Sequence, residues 1–277
     1  MMRTPTAGVG ATAVVVAAAR AEESRRPDRL FHDPLAERFL AEARKHSTPE
    51  AVEVVRHPME HYFAIRTRYF DDYLLRACAE GCRQVAVLGA GLDTRAFRLE
   101  WPPGTRVFEA DLPEVFAFKE PVIGAAGVEA ACDRVVVATD LAADWETALL
   151  RAGLDPGLPT AWLIEGVLCY LPDKADDEVL AGVTRLSAPG SRLAGEHVSH
   201  RVFTDPVARP MLDALESVGA PWLSGVDDIG DWLGASGWAS EVVDLTDPAV
   251  HHGRINPVDR ERITAGPTRG WMFQARK

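Results

Sequence analysis

Gln84 to Leu99 reads QVAVLGAGLDTRAFRL. Val85, Ala86, Val87 and Leu88 form a short unbroken apolar run, the pattern of a strand buried on both faces. The run stops at Gly89-Ala90-Gly91, and a helix-compatible segment follows with Asp93 and Thr94 as cap candidates. Strand, glycine turn and helix start together predict a nucleotide-type cradle. Glycine lets the backbone approach a ligand closely, and a helix N-terminus offers unpaired N–H groups. The spacing argues against a dinucleotide, because a G-x-G-x-x-G fingerprint needs glycine where this chain has Thr94. A nucleoside with a small charged tail, such as S-adenosylmethionine, needs only the tight turn.

From residue 84 onward strands and helices alternate, which predicts an α/β fold with a parallel, doubly wound sheet. After the first strand come Arg106–Asp111, Arg134–Thr139, Thr160–Glu165 and Ser191–Glu196 as strands, with helices through Lys119, over Asp144–Arg151 and over Asp173–Leu186. Phe203–Gly219 and Asp227–Ser236 read as helices and Glu241–Leu245 as a strand. The last apolar run, Gly270–Ala275, has no crossover helix before it and pairs most simply as an antiparallel strand. Residues 1–80 read as a helical cap or lid, broken at Pro27, Pro34, Pro49 and Pro58. Residues 81–277 form the core, with a helical insertion near 198–225, all in a single domain.

With 277 residues, 47% of them hydrophobic, the chain has ample material for such a core. A formal charge of −11 argues against a nucleic-acid surface and is compatible with a cationic ligand. Cys78, Cys82, Cys132 and Cys169 contain no C-x-x-C pair and no histidine group at metal spacing, so they read as reduced thiols in a cytoplasmic protein, with no metal. Val9–Ala19 imitates a signal-peptide core, but it is too short to span a bilayer and runs into Arg20-Ala-Glu-Glu-Ser-Arg-Arg as a helix would. The expectation is no membrane contact and a monomer or homodimer.

Ligands of open α/β sheets bind beyond the carboxyl ends of the strands. Asp111, Asp140 and Glu165 each end a strand and are expected to converge on the glycine turn. Asp111 stands twenty residues past Gly91, the spacing at which a carboxylate accepts from ribose hydroxyls; the alternative is a turn residue before Leu112-Pro113. Asp140-Leu141 suits an adenine edge or a solvent-facing loop. Glu165 lies in an otherwise apolar run, where a carboxylate needs a cation, either a ligand ammonium or an arginine from the N-terminal helices. Arg66 and Arg68 supply candidates for clamping a ligand carboxylate, or for surface pairs with Asp71 or Asp72.

Arg66–Tyr73 (RTRYFDDY), Leu88–Arg95 (LGAGLDTR), Phe108–Pro113 (FEADLP), Thr139–Leu141 (TDL) and Leu163–Leu171 (LIEGVLCYL) together resemble the leucine carboxyl methyltransferase family. The closer resemblance is to its bacterial branch, including the tetracenomycin-type polyketide O-methyltransferases. It covers nearly the whole chain. It implies a class I, Rossmann-like methyltransferase fold: a mostly parallel seven-stranded sheet with an antiparallel C-terminal strand and a helical N-terminal cap. It also implies S-adenosylmethionine as cofactor, with Gly89 and Gly91 at its methionine and ribose portion, Asp111 on the ribose and Asp140 and Leu141 on the adenine. Glu165 would meet the α-ammonium and Arg66 or Arg68 the α-carboxylate, with Arg20 a weaker candidate.

The acceptor implied is an oxygen, carboxylate or phenol, on a small molecule such as a polyketide. A carboxylate is ionised at neutral pH and needs no base; a phenol with a pKa near 10 gains from one. Tyr170, His197 and His200 fall just past strand ends and are weak candidates, while Arg201 and Arg209 are possible cations for an anionic acceptor. Two other readings are a non-catalytic S-adenosylmethionine-binding accessory protein and an NAD(P)-dependent oxidoreductase. The second lacks the third glycine and any Tyr-x-x-x-Lys pair.

Overall fold

The computed structural model describes residues 9–45, 60–255 and 270–277. Seven strands form one sheet: β1 (Gln84–Leu88), β2 (Arg106–Asp111), β3 (Asp133–Ala138), β4 (Thr160–Ile164), β5 (Arg192–Val198), β6 (Ala239–Val242) and β7 (Gly270–Arg276). Their order is β3-β2-β1-β4-β5-β7-β6. Pairing is parallel from β3 through β5, and β7 runs antiparallel to both β5 and β6. The switch in strand order falls between β1 and β4, so the carboxyl ends of β1, β2, β4 and β5 surround one crevice.

Every residue of β1 and β4 is buried, as their unbroken apolar runs predict. On one face, Val85, Val87 and Leu163 pack under Phe70, Tyr73 and Leu74 of α3 (Glu60–Ala79). On the other, Leu88, Phe108, Trp162 and Ile164 meet helices α6 (Trp145–Arg151), α7 (Asp173–Arg185) and α9 (Ile229–Ala235). Each large side chain buried this way contributes roughly 1.5–3 kcal/mol before the cost of ordering it.

The N-terminal apolar run is helix α1 (Val9–Arg25). Val14, Ala17 and Ala18 pack against α2 (Pro34–Ala43) and Phe118 and Val122 of α5 (Pro113–Ala126), while Val15 and Ala19 meet Phe63 of α3. Asp33 starts α2 by accepting from the N–H groups of Leu35 at 3.2 Å and Ala36 at 3.0 Å, ahead of Pro34 at the first turn. Among the described residues no helix is long and apolar enough to cross a membrane.

Four expectations need correction. The helix after the glycine turn is the single turn α4 (Arg95–Arg98), because the Leu99 backbone is already extended. The helix after β2 runs on past Lys119 to Ala126, where Gly127 closes it in a left-handed conformation. Phe203–Gly219 is not one helix: a 3₁₀ turn, His200–Thr204, is separated by Asp205–Ala208 from α8 (Arg209–Ser217). Pro206 and Pro210 have no N–H to carry a helix across that gap. Finally, β6 lies at Ala239–Val242 rather than Glu241–Leu245, set by pairing Ala239 with Arg276.

Candidate functional site

Gly89 and Gly91 hold φ of +66° and +48°, so the turn after β1 uses the left-handed region twice. The Ala90 N–H donates to Ala110 O at 3.0 Å, tying the turn to β2. Asp111, at the end of β2, accepts from the Gly91 N–H at 2.5 Å and the Leu112 N–H at 2.7 Å. Burial pushes its carboxyl up against these two N–H groups, which pull it down. Two accepted bonds leave lone pairs on both oxygens, and the residue stays partly open at the mouth. The helix that starts at this cradle has Thr94 at its N-cap position, but the Thr94 side chain makes no capping bond. Thr94 donates instead to Asp33 at 2.7 Å, and Asp93 accepts from the Arg95 N–H at 2.6 Å.

Behind the turn lies a buried ion-pair network. Arg95, 2% exposed, reaches Asp71 at 2.7 Å and Glu165 at 2.7 Å, and also pairs with Asp93. Arg98 pairs with Asp71. Arg66 Nε stands 2.9 Å from Glu165, and its Nη1 pairs with Glu196, which also accepts from the Tyr62 hydroxyl. Burial raises the carboxyl of Glu165, but Arg95 and Arg66 outweigh it and hold the group below its usual range. Asp93 is likewise driven far down by Arg95, Lys119 and Arg20 against its burial. Glu196 goes the other way: burial outweighs Arg66 and Tyr62, and its carboxyl is raised. Among the described residues this network joins three guanidiniums to four carboxylates, which fits a ligand that brings positive charge.

Asp111 is thus bonded to the glycine turn, and Glu165 meets Arg66, an arginine of the N-terminal helices as the sequence offered, together with Arg95, which it did not offer. Asp140 is exposed, and its carboxylate caps its own turn by accepting from the Ala142 N–H at 2.8 Å. Leu141 packs partly buried against the core. Arg68 does not join Arg66: it pairs with Asp72 at 2.9 Å and donates to Leu30 O at 3.0 Å, on the next face of α3. Arg20 is buried against Asp33 at 3.0 Å and donates to Leu92 O, anchoring α1 to the glycine turn.

His197 is buried under the opposite face of the sheet, 3.2 Å from Asp176 and edge-on to Trp232, away from the network. His200 is exposed beside Asp173 at 3.3 Å. Arg209 pairs with Asp213 on an exposed face, and Arg201 is exposed. Tyr170, on the 3₁₀ turn Leu168–Tyr170, neighbours Trp222 and Thr12, and burial pushes its hydroxyl up to about 12. Arg95, Arg98, Tyr62 and Glu196 are network members that the sequence reading did not single out, while Asp93 entered it only as a helix cap and Asp71 only as a partner of Arg66 or Arg68. Glu196 alone carried a signal, since it too is an acid near a strand end.

The family model described as leucine carboxyl methyltransferase matches residues 13–184. A provisionally named S-adenosyl-L-methionine-dependent methyltransferase of Saccharopolyspora erythraea is 47% identical over 249 residues, covering 83% of each chain. A similarly named protein of a Parafrankia species is 43% identical over 267 residues, covering 94% of this chain and 86% of its own. Among solved structures, a DUF574 family protein from Streptomyces avermitilis superposes with a TM-score of 0.62 at 17% identity, covering 99% of this chain and all of its own. A provisionally named methyltransferase from Thermobifida fusca gives 0.58 at 18% identity, covering 100% and 97%. These two share the fold. The length of the family match and the identity of the relatives place the chain in the leucine carboxyl methyltransferase family.

Proposed function

We propose that the chain is an S-adenosylmethionine-dependent O-methyltransferase acting on a carboxylate or phenolic oxygen of a small molecule, such as a polyketide. The observation that carries the cofactor assignment is Asp111, bonded to the Gly91 N–H with acceptor capacity to spare, beside a buried network with one carboxylate in excess. Asp111 suits the ribose hydroxyls, and the Asp140–Leu141 segment suits the adenine. Glu165 and Arg66 suit the ammonium and carboxylate of the amino-acid tail. Arg66 is favoured over Arg68 because its guanidinium already lies in the network.

The bound cofactor supplies a methyl group activated by its sulfonium. The protein's part is then alignment, worth several orders of magnitude in rate when reacting atoms are held in line. Helices α1 and α3 cover the turn: a Cβ at Gly91 would sit 3.4 Å from the Cβ of Ala13 on α1. These helices act as a lid that excludes water from the crevice.

Calorimetry with S-adenosylhomocysteine tests this reading. Saturable binding is expected, none with NADH, and Asp111→Ala should weaken it ten- to hundredfold, since a bond to a charged acceptor is worth about 1.5–3 kcal/mol. Hydrogen exchange on the same complex should show residues 9–45 and 60–79 protected; equal exchange with and without ligand would make α1–α3 a rigid scaffold. Binding of NADH in place of S-adenosylhomocysteine would overturn the assignment.

The chemistry of the labelled product identifies the acceptor oxygen. A methyl ester releases methanol in mild alkali, whereas an aryl methyl ether survives. The ester is the expected product, because His197 and His200 lie outside the network and no base is needed for an ionised carboxylate. Alkali-stable label from an accepted substrate would reverse that preference.

A further inference from the structure

Glu196 differs from every other carboxylate in the buried network. Asp71 has two guanidiniums, Arg95 and Arg98, and Glu165 has Arg95 and Arg66. Asp93 has Arg95 and the nearby charges of Lys119 and Arg20. Glu196 has Arg66 alone, shared with Glu165, and its second partner is the neutral hydroxyl of Tyr62. Arg66 is 5% exposed, and its Nε makes no hydrogen bond although Glu165 stands beside it. The fork is therefore stretched between two carboxylates and satisfies neither fully.

Among the described residues, the surroundings of Glu196 offer no other cation. From α3 it meets Arg66 and Tyr62; from the end of β4, Glu165 and the Gly166 N–H; from the 3₁₀ turn, the thiol of Cys169. Across the sheet its partner on β7 is Met272. A largely buried carboxylate without a full counter-charge, such as Glu196 at 11% side-chain exposure, takes up a proton rather than remaining ionised. Burial does raise this carboxyl, in agreement with that count.

S-adenosylmethionine carries a net single positive charge, from sulfonium and ammonium against carboxylate. S-adenosylhomocysteine, without the methyl group, is neutral overall. We propose that Glu196 is the residue by which the site distinguishes the two: it is ionised when the cationic cofactor is bound, and holds a proton when the site is empty or filled by the neutral product. This rests on the cofactor reading above. The consequence is a site whose preference for the cofactor over the product grows as the pH rises, and which takes up a proton when methyl transfer turns the cationic cofactor into the neutral product.

The test is calorimetry with S-adenosylmethionine, S-adenosylhomocysteine and the amine analogue sinefungin, in buffers of different ionisation enthalpy and at several pH values. S-adenosylmethionine and sinefungin should release close to one more proton than S-adenosylhomocysteine. On the acid side of this titration, their dissociation constants should fall by up to about tenfold for each unit by which the pH rises, relative to that of S-adenosylhomocysteine. Glu196→Gln should still bind S-adenosylhomocysteine and lose the difference. Tyr62→Phe, which removes a donor to the carboxylate, should keep the difference and move it to higher pH.

Equal proton release by charged and neutral ligands, or an undiminished difference in Glu196→Gln, would overturn the proposal and leave the cofactor reading standing. Failure of all three ligands to bind the unaltered protein would remove that reading, and the proposal with it. If Glu196→Gln does not fold, Tyr62→Phe decides: a difference that stays at the same pH overturns the proposal.

Discussion

Replacing Arg95 with alanine is expected to cost about 3–5 kcal/mol of stability, the range for removing one partner of a buried ion pair. For a domain whose whole margin is roughly 5–15 kcal/mol, that is a large fraction. The reason is the number of charges that depend on one side chain: Asp71, Asp93 and Glu165 all converge on a guanidinium that is 2% exposed.

The same change should reverse the pH dependence of stability. In the unaltered protein the carboxyls of Asp93 and Glu165 are depressed. Their contribution is therefore complete above the unfolded values near pH 4 and is lost as the pH falls through the lower folded values. Without Arg95, burial raises these carboxyls. Their contribution is then present in acid and is lost as the pH rises through the raised values. Denaturant unfolding at several pH values should show the variant closest to the unaltered protein in mild acid and furthest from it at neutral pH. Arg95→Lys keeps the charge without the fork and should fall between the two. An unchanged midpoint and slope in Arg95→Ala would mean that the three acids find other partners.

Gly89→Ala should separate the shape of the cradle from the chemistry around it. At φ +66° a side chain adds about 1–2 kcal/mol of strain. The new methyl would also stand 2.2 Å from Val167 Cγ2, which forces Val167 or the turn to move, at about 1–3 kcal/mol more. Gly91→Ala carries similar strain at φ +48° but meets only an ordinary contact, 3.4 Å from Ala13. The expected order is therefore a clear loss of thermal stability for Gly89→Ala and a smaller one for Gly91→Ala. Equal losses would show that Val167 gives way freely.

The sequence made β1, β2 and β4 legible because each is a short apolar run closed by glycine or an acid, a pattern set locally. The glycine turn was legible for the same reason, and Asp111 from its place at the end of the next strand, twenty residues past Gly91. The hub was not, because an arginine such as Arg95 is ordinarily at the surface, and its burial is set by Asp71 and Glu165, far away in sequence. Residues 197 and 200 drew attention as histidines, while Glu196 beside them carries the contact with α3. Alternation along β5 was the available clue, since Glu196 and His197 must face opposite sides of the sheet. Arg66 and Arg68, two residues apart on a helix, likewise had to point in different directions.

The reversed strand β7 lies between β5 and β6, so β6 has β7 as its partner in the sheet. On the ribosome, Ala239–Val242 is made well before Gly270–Arg276 and waits without a neighbour, while β5 shows a bare row of N–H and C=O groups on its outer side. A nascent chain of this kind is exposed to strand addition from its neighbours on the same message until residue 270 and its successors emerge. Closing the sheet therefore falls to the last strand made, and until it docks the outer edge of β5 is open to a strand from another chain.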